Sequence, residues 1–142
     1  MNIIEMLVYD EGETTKPYYC TGGYLTNGCG LNLEVLEMPK EVADLWLDYV
    51  LKDIDKKIVY YPLLNSAYII CSEVRKMALK NMMYQMGVSG ASKFKNMLTA
   101  IIDGDFDKAA DEALDSKWAE QTPNRAKRIS HTIRTDTLEA YN

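Results

Sequence analysis

Apolar residues recur every three or four positions along most of the chain, which is the spacing of one helix face. Gly12 and Gly87 each follow such a run, and glycine at that place is typical of a helix end. The run before Gly87 is almost continuously apolar, which predicts a core helix buried on most sides. The pattern predicts helices over residues 3–11, 39–59, 72–86, 91–102, 106–114 and 123–135.

From Lys16 to about Leu33 the helical spacing gives way to aromatic and small residues. Glycines at positions 22, 23, 28 and 30 separate short runs that are typical of strands. We therefore expect one small antiparallel hairpin or meander in this segment. Together the patterns predict a single, mostly helical α+β domain over residues 1–142, with a small sheet-bearing lobe beside a helical lobe.

Length and charge exclude several classes of protein. A chain of 142 residues with 47% hydrophobic residues can bury a core without a metal ion or a disulfide. The net charge of −5 does not favour nucleic acid as a partner. Basic side chains gather locally from Arg125 to Arg134, where a solvated helix face is the simplest interpretation.

The cysteines and the N-terminal residues indicate in which cellular compartment the protein is made. Cys20, Cys29 and Cys71 follow no zinc-ligand spacing and fit a reducing compartment, although Cys20 and Cys29 could still meet across the hairpin. The first residues carry acids where a signal peptide carries bases, and no apolar run is long enough to span a membrane. We expect synthesis in the cytoplasm, with any action outside the membrane depending on a separate permeabilising factor.

No motif predicts a cofactor or a metal. His131 has no histidine or cysteine partner at ligand spacing, which favours a surface or capping role. The glycine-rich segment 22–30 does not open a helix after a strand, so it does not predict phosphate binding.

Two segments carry candidate chemistry. In the first, Glu11 lies at a predicted helix end and faces a hairpin whose glycines allow a ligand close to the backbone. In the second, residues 118–128 combine an aromatic ring, amides and guanidinium groups around a helix start. Each has a purely structural alternative, since a helix-end glutamate is usually solvated and the second segment could serve only for capping, ion pairs and core packing.

Both segments resemble the phage-type lysozymes of glycoside hydrolase family 24, and within it the endolysins of T-even bacteriophages. The resemblance rests on Asp10-Glu11-Gly12 with the glycine-rich segment 22–30, on Asn81-Met82-Met83-Tyr84-Gln85-Met86-Gly87, and on Gln121-Thr122-Pro123-Asn124-Arg125-Ala126-Lys127-Arg128. It covers residues 1–30 and about 73–141, whereas residues 31–72 are shorter than the corresponding stretch and match poorly.

The resemblance implies a two-lobed fold and a cell-wall hydrolase. The sheet-bearing lobe would span about 13–58, the helical lobe about 60–142 together with helix 1 at about 2–11, and a long helix would join them. The implied activity is a monomeric muramidase that cleaves the β-1,4 bond between N-acetylmuramic acid and N-acetylglucosamine in peptidoglycan. It implies no cofactor and no membrane insertion, and its setting is lysis of the host cell by a bacteriophage.

The resemblance also assigns roles by position. Glu11 would be the general acid, and Thr26 would hold the attacking water at the catalytic centre. Tyr84 and Gln85 would line the substrate cleft with Asn32, while Asp10 and Arg125 would support the site.

One catalytic position departs from the family. The expected aspartate is replaced by Cys20, and an expected histidine is replaced by Leu31. A free thiol has a pKa of about 8.5, so a cysteine base is mostly protonated at neutral pH and reduced activity is expected. Three alternatives stay open: a covalent route through the thiolate, an inactive lysozyme-like protein that binds wall glycan or a protein partner, and a redox switch through Cys20.

Overall fold

The computed structural model describes residues 1–142 and shows a mostly helical α+β protein. The helices are α1 (Ile3–Glu11), α2 (Lys40–Ile58), α3 (Pro62–Ile70), α4 (Glu73–Ser92), α5 (Lys95–Ile102), α6 (Phe106–Leu114), α7 (Lys117–Gln121) and α8 (Pro123–Thr135), and a 3₁₀ helix spans Glu139–Tyr141. The strands are β1 (Thr14–Tyr19), β2 (Leu25–Gly28) and β3 (Leu31–Asn32), which form one antiparallel sheet in the order β1-β2-β3. The predicted fold class is confirmed.

Two compact units make up the chain, Met1–Leu45 and Trp46–Asn142. The first holds α1 and the sheet, the second holds α3 to α8, and the boundary lies within α2. The lobe boundaries expected near residues 58 and 60, and the association of helix 1 with the helical lobe, stay predictions. None of the helices combines the length and apolar content that a membrane crossing requires.

Local hydrogen bonds set both ends of α1. The Asn2 side chain accepts the backbone N–H of Glu5 at 3.0 Å, and the Glu5 carboxylate accepts the backbone N–H of Asn2 at 2.7 Å. This reciprocal pair satisfies two N–H groups that a helix start otherwise leaves free. At the other end, Gly12 has φ 73° and donates its N–H to the carbonyl of Val8. Helix α1 therefore ends at Glu11, as the pattern predicts.

Helix α4 is the centre of the core in the second unit. Leu79, Met82 and Met83 are almost completely buried there. They pack in one apolar cluster with side chains of α2, α3, α5, α6 and α8. Between residues 72 and 86 only Glu73, Met77 and Tyr84 are exposed, so the helix is buried or half-buried on most sides, as predicted, apart from one solvent face on which Met77 and Tyr84 are 54% and 51% exposed. Apolar content alone does not identify the solvent face when the exposed positions carry methionine and tyrosine.

Two features of the helical unit differ from the pattern. Gly87 has φ 81° and ψ 159°, so it interrupts the helix as predicted, yet the chain returns to helical geometry and α4 ends only at Ser92. After α2 ends at Ile58, Pro62 opens α3 at its first position, a helix that the apolar pattern does not predict. A proline at a helix start needs no N–H, so it is well suited to that position.

Arg75 connects α4 to the end of α8. Its Nε donates to the carbonyl of Ile133 at 2.7 Å, and its Nη2 donates to the carbonyl of Arg134 at 3.3 Å. The guanidinium lies 3.4 Å from the ring centroid of Phe106, and Nη1 is 3.6 Å from the carboxylate of Asp136. These bonds satisfy carbonyls that the last turn of a helix leaves without partners. The Arg75 side chain of α4 thus contacts both the C-terminal end of α8 and the first residue of α6.

Replacing Arg75 with methionine should lower the free energy of unfolding by about 2–3 kcal/mol, because it removes charge-assisted hydrogen bonds to carbonyls in a partly buried place. Urea unfolding followed by circular dichroism measures the change. Arg134→Met is the matched control, since Arg134 pairs with the exposed carboxylates of Asp107 and Asp111, and it should cost about 1 kcal/mol or less. Equal losses in the two variants would contradict this role for Arg75.

Candidate active site

Glu11 is presented at the end of α1 beside the sheet. It is the last residue of that helix and its side chain is exposed. Its carboxylate lies against Gly30, in the turn between β2 and β3, where a built Cβ would stand 3.1 Å from Glu11 Oε2. The predicted acid therefore faces the glycine-rich turn, as its place in the sequence predicts. Asp10 precedes it on the same helix and is also exposed.

Cys20 lies at the turn that joins β1 to β2. Its backbone N–H donates to the carbonyl of Tyr24 at 3.0 Å, and the N–H of Gly23 donates to the carbonyl of Cys20 at 2.9 Å. Beyond this turn, Tyr19 pairs with Leu25 and Tyr18 pairs with Thr26. Paired residues of antiparallel strands share one face of the sheet. Cys20 follows Tyr18 by two residues, and its thiol lies within hydrogen-bonding reach of the Thr26 hydroxyl.

The surroundings of Cys20 favour its ionised form. The backbone N–H of Tyr24 lowers the pKa of the Cys20 thiol most, and partial burial opposes it. Further lowering comes from the backbone of Gly22, the hydroxyl of Thr26 and the backbone of Gly23, and the net shift of the pKa is downward. Hydrogen bonds to a charged form favour that form. The turn therefore prepares this thiol to act as a thiolate.

Thr26 is the one buried residue of the first unit, with 3% of its surface exposed. Its hydroxyl donates to the carbonyl of Tyr24 at 2.9 Å. A hydroxyl has one hydrogen, so donation to Tyr24 and donation to a Cys20 thiolate are mutually exclusive. While the hydrogen serves Tyr24, the lone pairs of Thr26 Oγ1 are available to accept a hydrogen bond.

Asn32 lies opposite Thr26 in the register of β2 and β3. Its side-chain oxygen accepts the backbone N–H of Glu34 at 3.0 Å. Only the amide N–H₂ of Asn32 is then left to donate to a ligand. The predicted contact of Asn32 with substrate stays a prediction.

The register also excludes a disulfide between Cys20 and Cys29. Tyr19, beside Cys20, pairs with Leu25, whereas Thr14 pairs with Gly28, beside Cys29. The two cysteines thus flank opposite ends of the β1–β2 ladder, separated by about 15 Å at the rise of a strand. A disulfide needs Cα atoms within about 7 Å. The sequence left this pairing open because spacing alone does not give the register, and all three cysteines are free.

In the second unit, Arg125 is fixed by Asn81. The guanidinium donates to the side-chain oxygen of Asn81 through Nε at 2.8 Å and through Nη2 at 2.6 Å. Both residues line a pocket of about 340 Å³ together with the half-exposed ring of Tyr84. In the sequence, Asn81 stands out only as part of a motif, and its role in orienting Arg125 is not predicted. Its spacing from Tyr84 on one helix, one turn apart, is the signal that indicates a shared face.

Gln85 has a structural partner. Its side-chain oxygen accepts the indole N–H of Trp118 at 2.9 Å. Trp118 in turn meets the ring of Phe94 edge to face, with centroids 5.9 Å apart. The amide N–H₂ of Gln85 is left for a ligand, so its predicted contact with substrate stays a prediction. No group of three or more histidine, cysteine or acidic side chains is arranged to hold a metal ion.

The predicted site residues thus fall into two sets, each within one unit. Asp10, Glu11, Cys20, Thr26 and Asn32 belong to the first unit, whereas Tyr84, Gln85 and Arg125 belong to the second. In the first set, a helix-end carboxylate and a thiol with a lowered pKa border one small sheet. In the second set, an aromatic ring and an oriented guanidinium line one pocket.

Comparison with known proteins identifies the family. No protein-family model matches the chain. The probable T4-type lysozyme 1 of Dictyostelium discoideum is 32% identical over 166 residues, covering 99% of this chain and 98% of that protein. The probable T4-type lysozyme 2 of the same organism is 32% identical, with 96% of each protein covered. The chain belongs to the T4-type lysozyme family.

A second kind of relative is much longer than this chain. The pre-baseplate central spike protein Gp5 of Enterobacteria phage T4 is 34% identical over 166 residues, which covers 99% of this chain but 29% of the spike protein. The T4-type lysozyme sequence therefore also occurs as one part of a larger protein. The aligned lengths exceed the 142 residues of this chain, so gaps are needed, as the short middle segment predicts.

The lowered pKa of Cys20 predicts that this thiol is alkylated at a lower pH than an ordinary cysteine. In a variant with Cys29→Ser and Cys71→Ala, the rate of reaction with iodoacetamide should reach half its maximum at a lower pH in the folded chain than in the same chain unfolded in urea. The thiolate is the reactive form, and the turn that stabilises it is lost on unfolding. A folded-state midpoint equal to or above the unfolded one would contradict the prediction.

The lowered pKa of Cys20 also makes the stability of the fold depend on pH. Because the pKa of this acid is lower in the folded chain, ionised Cys20 stabilises the fold at pH values above its unfolded pKa. That contribution is lost as the pH falls through the folded pKa.

Proposed function

We propose that this member of the T4-type lysozyme family is a peptidoglycan hydrolase that cleaves the β-1,4 bond between N-acetylmuramic acid and N-acetylglucosamine. The observation that carries the proposal is that one sheet-bearing unit presents both the helix-end carboxylate of Glu11 and the thiol of Cys20, whose pKa is lowered. Glycoside hydrolysis uses one group that protonates the leaving oxygen and another that acts on the opposite face of the sugar. Glu11 and Cys20 supply two groups of that kind.

Glu11 is assigned the role of general acid. It transfers its proton to the glycosidic oxygen as the bond to the anomeric carbon breaks. Its place on a helix end with an exposed side chain leaves the carboxyl open to a polysaccharide. Gly30 in the neighbouring turn has no side chain next to the Glu11 carboxyl.

Cys20 is assigned the role of base. Its thiolate takes a proton from a water molecule while the water oxygen bonds to the anomeric carbon, which inverts the configuration there. Thr26 supports this step, because the lone pairs of its hydroxyl accept a hydrogen bond from the same water while its hydrogen serves Tyr24. Proton transfer by a positioned group depends on the fraction present in the reactive form. Activity therefore needs ionised Cys20 together with protonated Glu11, which gives a bell-shaped dependence on pH and a lower activity than with an aspartate in this place.

The pocket of the second unit supplies groups for binding sugar. Tyr84 presents a half-exposed ring that suits stacking on a pyranose face, and Arg125 offers guanidinium hydrogens in an orientation fixed by Asn81. Gln85 retains its amide N–H₂ for a sugar hydroxyl or acetamido oxygen. The substrate class in this proposal is thus a polymer of N-acetylated sugars, bound by a monomer without a cofactor.

The biological setting in this proposal is bacterial lysis at the end of a phage infection. The enzyme accumulates in the host cytoplasm, and a separate permeabilising factor gives it access to the wall. One relative is the central spike protein of phage T4, by its name a part of the pre-baseplate, which supports a phage context for this sequence.

Cys20 itself favours one second candidate function. A protein with this fold that binds wall glycan or a protein partner without cutting would tolerate a thiol where hydrolysis uses a carboxylate. This candidate predicts co-sedimentation of the protein with purified peptidoglycan and no release of reducing sugars.

Glu11→Gln should abolish muropeptide release from purified peptidoglycan, with a loss of about 10²- to 10⁴-fold, because the amide has no proton to give. Glu13→Gln is the matched control, since Glu13 is also exposed and lies two residues further along the chain. It should release muropeptides like the parent. A parent no faster than Glu11→Gln would refute hydrolysis and leave the binding function.

Cys20→Ser should be impaired at every pH at which the fold is stable, because a serine hydroxyl does not ionise in this range. Cys29→Ser is its control, since Cys29 is also partly exposed but flanks the far end of the β1–β2 ladder. Chromatographic quantification of released muropeptides measures both variants. Equal activity of the parent and Cys20→Ser would remove the thiol from the mechanism.

A further inference from the structure

The side chain of Glu11 occupies the space that a side chain at position 30 would need. A Cβ built on Gly30 would stand 3.1 Å from Oε2 of Glu11, 3.5 Å from its Cδ and 3.6 Å from its Cγ. These are the three nearest atoms around that position, and all of them belong to Glu11. The carboxyl group thus lies beside the bare backbone of Gly30 in the β2–β3 turn.

We propose that Gly30 is a positioning residue for Glu11, and that its lack of a side chain holds the carboxyl of the acid against this turn. The inference rests on the proposed function, in which Glu11 is the general acid. Within the first unit, no hydrogen bond or ion pair involves the Glu11 side chain, and its carboxyl occupies the space that the missing side chain of Gly30 leaves open. A contact closer than about 3.4 Å would force the carboxyl to move, because it is the flexible partner and the turn is backbone.

Displacement of the acid acts on turnover more than on binding. Glu11 sits at the end of a helix, so a rotation of its side chain changes where the proton is offered without changing the sheet. A misplacement of about 1 Å between reacting groups costs up to about 10²-fold in rate. A methyl group at position 30, 3.1 Å from Oε2, would displace the carboxyl by a few tenths of an ångström, so a smaller loss is expected.

Gly28 provides a matched control in the same turn. It has φ +61° and Gly30 has φ +66°, so alanine meets similar left-handed backbone strain at either position. A Cβ at Gly28 would meet only Leu31, at 3.5 Å or more, which is ordinary contact. The two substitutions therefore share the backbone cost and differ in the contact with Glu11.

The kinetic experiment compares Gly30→Ala with Gly28→Ala on purified peptidoglycan. Gly30→Ala should lower kcat about 2- to 10-fold with little change in KM, while Gly28→Ala stays close to the parent. Glu11→Asp is one methylene shorter and retreats from the turn, so Gly30→Ala should cost less on that background than on the parent. Equal losses for the two alanine variants, or strictly additive effects of Gly30→Ala and Glu11→Asp, would overturn the proposal.

A spectroscopic experiment separates this inference from the proposed function. With ¹³C-labelled glutamate, the carboxyl resonance of Glu11, assigned through Glu11→Gln, should move in Gly30→Ala and stay in place in Gly28→Ala. Should either alanine variant fail to fold, the asparagine variants replace both, because asparagine tolerates positive φ better. A parent that releases no muropeptides would refute the hydrolase, whereas an unmoved Glu11 resonance would refute the role of Gly30.

Discussion

The register of β2 between its two neighbours is the constraint on which the candidate site depends. Thr26 pairs with Tyr18 on one side and with Asn32 on the other, and it is the one buried residue of its unit. Because side chains alternate along a strand, a slip of one residue would turn Thr26 to the opposite face. The slip would also change the turn whose amides favour the Cys20 thiolate.

The same register limits the chemistry of the thiol. It places Cys20 and Cys29 beyond opposite ends of the β1–β2 ladder, so a disulfide between them is not available as a switch. The thiol is instead surrounded by groups that favour its charge. In a small unit with almost no buried side chains, hydrogen bonds of the turn have a larger effect on the site than burial does.

Much of the fold follows from the sequence because its signals are local. Gly12 ends α1 at Glu11 since a positive φ costs glycine little, and Pro123 opens α8 where its missing N–H is not needed. The interruption at Gly87 follows from the same property of glycine, but the return to helix after it does not. That return depends on the burial of Val88 and Ala91 in the core, which is tertiary and invisible to local spacing.

In the candidate site, too, some features follow from local sequence and others depend on tertiary structure. Glu11, Cys20 and Thr26 could be proposed from a short segment that resembles a known family. The clamp of Asn81 on Arg125 joins residues 44 positions apart, and the contact of Glu11 with Gly30 depends on how a helix end meets a turn. Neither arrangement has a periodic signal. Both emerge only when the elements are assembled, and both concern how a reactive group is held rather than which group is present.

The central claim is that Cys20 acts as a thiolate base. The most direct test is the pH dependence of peptidoglycan hydrolysis by the parent and by Cys20→Asp, with Cys29 and Cys71 replaced in both. The account predicts a bell-shaped profile for the parent, because activity needs ionised Cys20 and protonated Glu11 at the same time, and it predicts that Cys20→Asp is more active with its optimum at a more acidic pH. The same pH dependence in both proteins would contradict it.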